Sequence, residues 1–129
     1  MRLQLFGGEF VVCRLHPEED LPDWLPKSAW WTATRSRDEL SVACDAEVVP
    51  ADWDSSGPWR LLGVVEGPLA HNEVGVLASL SWSLAEAGVP IFAVSSFDTD
   101  WLLVPAEHLG DARAALAQAG HEVRHPRGG

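Results

Sequence analysis

The chain has 129 residues, of which 47% are apolar and 22% charged, and its nine Lys and Arg face nineteen Asp and Glu for a formal net charge of −10. That length and composition describe a folded unit with enough apolar surface for a core, and they exclude global disorder. An acidic balance with no clustered Lys and Arg repels phosphate backbones and anionic lipid, which argues against nucleic acid and membrane partners.

From the N-terminus, Met1 to Glu9 carries neither a long apolar core nor a small-residue cleavage site, so it does not read as a signal peptide, and the expected location is cytoplasmic. Strand character follows at Phe10 to Leu15, and an acidic, proline-bounded segment from Pro17 to Pro26 fits a short helix or turn. Trp30 to Cys44 splits at the polar run Arg35 to Glu39 into a hairpin of Trp30 to Thr34 and Leu40 to Cys44. Pro50 to Pro58 reads as a linker. Cys13 and Cys44, each among Val, Ala and Leu, read as buried free thiols.

The second half begins with alternation from Trp59 to Glu66, a strand closed by Gly67-Pro68. A helix follows, with Asn72 as its cap, Glu73 at the positive end of its dipole, and Val74, Leu77, Ala78, Ser81, Leu84 and Ala85 on one face. Gly88 and Pro90 end it. The uncharged run from Val74 to Ala85 is far shorter than the roughly 20 residues that cross a bilayer. Strands at Ile91 to Ser95 and Trp101 to Val104 flank the turn Ser96 to Asp100. A helix from about Glu107 to Ala119 buries Leu109, Ala112 and Leu116, and His121 to Val123 returns as an edge strand. The order β-α-β-β-α-β predicts an α+β, ferredoxin-like sandwich.

The two halves also match each other weakly. A shift of 61 lays Leu40 on Trp101 and Val42 on Leu103, whereas Pro17 meets Pro68 at a shift of 51. The difference falls where the second half has its first helix. The expected organisation is a truncated unit over residues 1–57 followed by a complete one over 58–129.

Several residues carry a resemblance. Gly67-Pro68-Leu69, Val74 to Leu80, and the run from Leu84 through Gly88-Val89-Pro90 to Ser95-Ser96-Phe97-Asp98-Thr99-Asp100 are similar to an ACT domain. More narrowly, they resemble the small tandem ACT proteins of bacteria related to CASTOR-type arginine sensors. The similarity covers Trp59 to Val123 and is architectural before that. It implies a regulatory protein that binds an amino acid or similar small molecule and performs no catalysis. It also implies a ligand held where two such units meet, by the loop after the first strand and the turn between the second and third. On this chain those positions are Gly67, Pro68 and Leu69, together with Ser95, Ser96, Phe97, Thr99 and Asp100.

The side chains fit that chemistry. An amino acid is a zwitterion, so its site needs donors for a carboxylate and an acceptor for an ammonium. Amides from Asn72 to Val74 would be the donors and Asp100 the acceptor. Gly67 would let the backbone approach, and Phe97 would close over an aliphatic stem. No cofactor or metal is expected. His121-Glu122-Val123-Arg124-His125 spells H-E-x-x-H, but Gly120 and Pro126 flank it and leave no helix to align the histidines on zinc. Seven tryptophans accompany no tyrosine. Of those on predicted elements, Trp30, Trp31, Trp59 and Trp101 are mostly core by expectation, whereas Trp82 lies off the helix's apolar face and points to a homodimer contact. The alternative function is a ligand-free interaction or dimerisation module, in which Asp100 would be engaged by Arg or backbone instead of facing a cavity.

Overall fold

A computed structural model describes residues 1–65 and 75–126. It contains the strands β1 (Arg2–Leu5), β2 (Phe10–Leu15), β3 (Trp31–Arg35), β4 (Leu40–Asp45), β5 (Ser56–Val64), β6 (Phe92–Ser95), β7 (Asp100–Pro105) and β8 (Glu122–Arg124). The helices are α1 (Val76–Glu86) and α2 (Leu109–Gln118), with single 3₁₀ turns at Leu25–Lys27, Ala46–Val48 and Ala106–His108. The chain forms two compact units, one made of Met1–Gly7 with Arg60–Gly129 and the other of Gly8–Trp59.

In the first unit the strand order is β6-β7-β5-β1-β8. The series β5-α1-β6-β7-α2-β8 is the βαββαβ frame expected from the sequence, a mixed α+β fold of ferredoxin-like type. The sequence reading placed no element at β1. This strand runs antiparallel to β5, with Leu3 opposite Val64 and Leu5 opposite Leu62, and parallel to β8, with Leu3 opposite Val123. Its apolar residues complete a core in which Leu80 and Leu84 of α1 and Ala112 and Leu116 of α2 pack with Leu3, Leu5, Leu62, Val64, Leu102 and Val104. Burial of this kind stabilises by about 25 cal/mol per Å² of apolar surface removed from water.

Three local expectations change here. The buried face of α1 is set by Leu80 and Leu84, with Val76 and Leu77 packed beside them, while Ala78 and Ala85 are exposed. The helix's N-cap is Gly75 at φ 87°, three positions after the Asn72 expected there. Finally, Leu61, Leu62 and Val64 of β5 are all buried, so the strand does not alternate between core and solvent. Gly63 explains part of this: a Cβ there would lie 2.7 Å from the Trp101 ring and 3.2 Å from Phe6, so only glycine lets those two rings close over the strand.

The second unit has no α-helix of its own. β4 pairs antiparallel with both β3 and β2, and the start of β5 pairs with β2 through Phe10 opposite Trp59 and Val12 opposite Ser56. Those first residues of β5, up to Pro58, were expected in a linker. Val11, Cys13 and Leu15 on β2 meet Leu40, Val42 and Cys44 on β4 at period-two spacing, and Leu25 from a 3₁₀ turn covers them. Both cysteines are buried free thiols. Burial, then the neighbouring Cys13 and Asp45, push the Cys44 thiol up to about 12, and burial also raises Cys13, so neither is a reactive thiolate near neutral pH.

The hairpins of the two units agree at a shift of 60, not 61. Arg35 faces Leu40 as Ser95 faces Asp100, and each turn closes by an amide-to-carbonyl bond of 2.8 Å, Ser36 to Glu39 and Ser96 to Thr99. Strand register decides the offset, because a one-residue slip would turn every side chain to the opposite face. The tryptophans depart from expectation more widely: all seven are partly or largely exposed, and leucines fill the core in their place.

Candidate ligand site

The β6–β7 turn is built by its own hydroxyls. The Ser96 hydroxyl donates to the Thr99 carbonyl at 3.1 Å and accepts from Trp101 Nε1 at 2.9 Å. Thr99 Oγ1 donates to the carbonyl of Val64 at 2.8 Å, which fastens the turn to the end of β5. The turn therefore lies beside the point where the chain leaves its first strand, as a site made from those two loops requires. Small hydroxyl side chains are suited to this work because they satisfy turn carbonyls without bulk.

Ser95 Oγ donates to Asp100 Oδ1 at 2.6 Å across the antiparallel pair. This short bond to a carboxylate fixes the acid's rotamer, while Oδ2 receives no hydrogen bond among the described residues. Asp100 is thus neither unpartnered nor engaged by Arg or backbone: a hydroxyl orients it and leaves one oxygen for an incoming donor. Phe97, at the tip of the turn, is 79% exposed. The structure brings together Ser95, Ser96, Thr99 and Asp100, with Phe97 at the tip. Gly67, Pro68, Leu69 and Asn72 lie outside the described residues.

The H-E-x-x-H string is not on a helix. Glu122–Arg124 is a strand, and His121 is buried with its Nδ1 3.2 Å from the Met1 amine and its Nε2 3.4 Å from the Ser79 hydroxyl. Burial, and then the charge of the amino terminus, lower its pKa. His125 is turned instead toward Arg113, 3.4 Å away. Among the described residues no three His, Cys, Asp or Glu side chains converge as a metal site.

Sequence reasoning assigned no role to an open cleft of about 900 Å³ within the Gly8–Trp59 unit. One signal could have found it. At the shift of 60, Arg37 takes the place of Phe97 at the tip of the turn, between Ser36 and Asp38 where the other turn has Ser96 and Asp98.

A βαββαβ unit whose hairpin turn is fastened to the end of its first strand defines a module of ferredoxin-like fold. The family model for the ACT domain matches residues 54–118, just over half of the chain, and a further model, for an N-terminal domain, matches residues 8–52. The chain belongs to the ACT-domain family.

Its relatives include the human cytosolic arginine sensor for mTORC1 subunit 1, which is 33% identical over 84 residues, an overlap of 60% of this chain and 26% of the relative. The chain therefore spans about a quarter of the length of the curated relatives it matches. Among solved structures, a protein from Agobacterium tumefaciens has a TM-score of 0.89 at 33% identity, covering 98% of this chain and 93% of that one. The ligand-free regulatory subunit of aspartate kinase from Thermus thermophilus has a TM-score of 0.61 at 16% identity, covering 92% and 97%, a likeness of fold alone.

Proposed function

We propose that this protein is a regulatory module that binds a free amino acid at the β6–β7 turn and performs no chemistry of its own. The observation that carries the reading is the Asp100 carboxylate, held by Ser95 with one oxygen unused, on a turn fastened by Thr99 to the end of β5. The unused oxygen would take the ligand's ammonium. Residues Gly67, Pro68, Leu69 and Asn72 would supply the carboxylate side, and Phe97 would cover the side chain. The likeness to the arginine sensor supports this class of function.

We read the chain as a tandem of two ACT-like units, the first truncated and the second complete, working in the cytoplasm. Ligand acts by favouring one arrangement of the protein over another, which changes the surface offered to a protein partner. Thermal unfolding with each proteinogenic amino acid at millimolar concentration, repeated with Asp100→Asn, tests the reading. A ligand at about 100 times its dissociation constant adds about 2.7 kcal/mol, several degrees at this size. The expected result is one amino acid that raises the midpoint of the native chain and not of the variant. A flat panel overturns it.

One observation favours a second reading. Trp82 on α1 is 67% exposed, as a homodimer contact of a ligand-free interaction module would require. Sedimentation decides it: a monomer at high concentration removes that reading, and a dimer that Trp82→Ala dissociates supports it.

A further inference from the structure

We propose that the Gly8–Trp59 unit holds a second small-molecule site of its own, the open cleft beside the β3–β4 turn, and that it takes a small neutral zwitterion of the free α-amino acid class. Arg37 would receive the carboxylate and Asp54 the ammonium. The proposal does not depend on a ligand at the β6–β7 turn, since every lining residue lies within Gly8–Trp59.

Size and lining both fit such a ligand. The cleft, of about 900 Å³, is within the range of small-molecule sites, about 300–1,000 Å³. Val12, Leu15 and Pro17 give it apolar surface. Its charges are Arg14 and Arg37 against Asp38 and Asp54, two of each sign, in a chain whose formal net charge is −10. A bare anion entering there would meet two carboxylates and a bare cation two guanidinium groups, whereas a zwitterion finds a partner for each end.

The charges are not equally occupied. Arg14 donates to the Asp38 carbonyl at 3.3 Å and lies 3.9 Å from the Glu39 carboxylate, so it serves the turn. Among the described residues the side chains of Arg37, Asp54 and Ser55 make no hydrogen bond or ion pair, so their polar atoms are available. A guanidinium is the side chain best shaped to hold a carboxylate by two parallel bonds.

The walls are fixed before any ligand arrives. The His16 amide donates to Glu19 Oε2 at 3.0 Å and the Glu18 amide to His16 Nδ1 at 3.2 Å, while Arg35 donates to the carbonyls of Pro17 and, at 2.7 Å, Glu19. On the other side, the amides of Asp38 and Glu39 donate to Ser36 Oγ at 3.3 and 3.2 Å. A site whose loops are already ordered loses less entropy on binding.

The test is an amide NMR titration of the full chain with individual neutral amino acids, with N-acetyl-leucine as the probe that lacks an ammonium, and with inorganic phosphate. The expected result is that at least one free amino acid shifts the amides of His16, Arg37, Asp38 and Ser55 saturably. Arg37→Ala and Asp54→Asn, both at exposed positions, should each weaken that response about tenfold or more, because each removes a charge-assisted contact. N-acetyl-leucine and phosphate should shift these amides only at much higher concentration. The proposal is overturned if no amino acid moves the cleft amides, if both variants leave the response intact, or if phosphate or N-acetyl-leucine binds equally well. The two sites are told apart in the same spectra. Shifts confined to Ser95–Trp101 sink this proposal and keep the β6–β7 site, and shifts confined to the cleft do the reverse.

Discussion

The β3–β4 and β6–β7 hairpins share strand register and turn closure, with Ser36 and Ser96 each donating an amide to the carbonyl three residues on, yet they use that frame differently. The β6–β7 turn is bound up in its own hydroxyls and an indole, and it offers one oriented carboxylate and an exposed ring. The β3–β4 turn presents Arg37 and Asp38 toward an open cleft, and the neighbouring Arg35 ties down the facing loop. On the proposed readings, the shared backbone would place a ligand beside each hairpin, and the residues at its tip would decide which end of the ligand it holds. Fold alone therefore does not assign the two sites the same chemistry.

The comparison can be broken most severely in the cores beneath the two hairpins. Leu102 of β7 and Val42 of β4 are both fully buried at corresponding positions. Leu102→Ala should cost about 2–5 kcal/mol and Val42→Ala about 1–3 kcal/mol in urea unfolding. Equal losses would mean that the helix-covered core does not support its hairpin more strongly than the helix-free one.

Gly63→Ala probes the β6–β7 side, where the ring of Trp101 rests 2.7 Å from where the new Cβ would stand. A loss of about 1–3 kcal/mol is expected from overpacking, and Trp101→Leu in the same chain should recover part of it. Additive losses would show that the ring is not what makes glycine necessary there.

Thr99→Val removes the bond to the Val64 carbonyl and should cost about 0.5–1.5 kcal/mol. It should also weaken any amino acid that binds beside Asp100 while leaving the β3–β4 cleft untouched, which a titration of both sites in the native chain and the variant would read out.

The smallest effect concerns pH. His121 has its pKa lowered from 6.5 in the folded state by burial and by the amino terminus, so the unfolded chain binds the proton more readily. Stability from this group is complete above pH 6.5 and is lost as the pH falls from there through the lowered folded value. His121→Gln should flatten this part of the profile of unfolding midpoint against pH, and an unchanged slope would place the titration elsewhere.

Much of this architecture was legible locally. Strand and helix periodicity, with Gly88 and Gly120 at the helix ends, gave the βαββαβ order and the position of the Ser96–Thr99 turn to within a residue or two. Elements escaped where their reason is not local. β1 is four residues long, and only its pairing with β5 and β8 makes it a strand. Likewise, α1 turned out to bury Leu80 because of what faces it, a choice that spacing on the helix left open.

The candidate sites divide in the same way. Ser95, Ser96, Phe97, Thr99 and Asp100 are neighbours in sequence, and a turn keeps such residues together, so their grouping could be read directly. The bond from Ser95 to Asp100 and the tie from Thr99 to Val64 could not, because hydrogen bonds depend on distances of a few ångströms that strand register sets. The cleft was hidden altogether, since Arg14, Arg37 and Asp54 come from separated segments that pairing brings together. Residue order was enough to set most of the elements and to group the residues of each turn, because those follow from neighbours along the chain. Which strands are central, where glycine is needed to admit a ring and which charges share a cavity were settled by packing, because each depends on contacts between residues far apart in the chain.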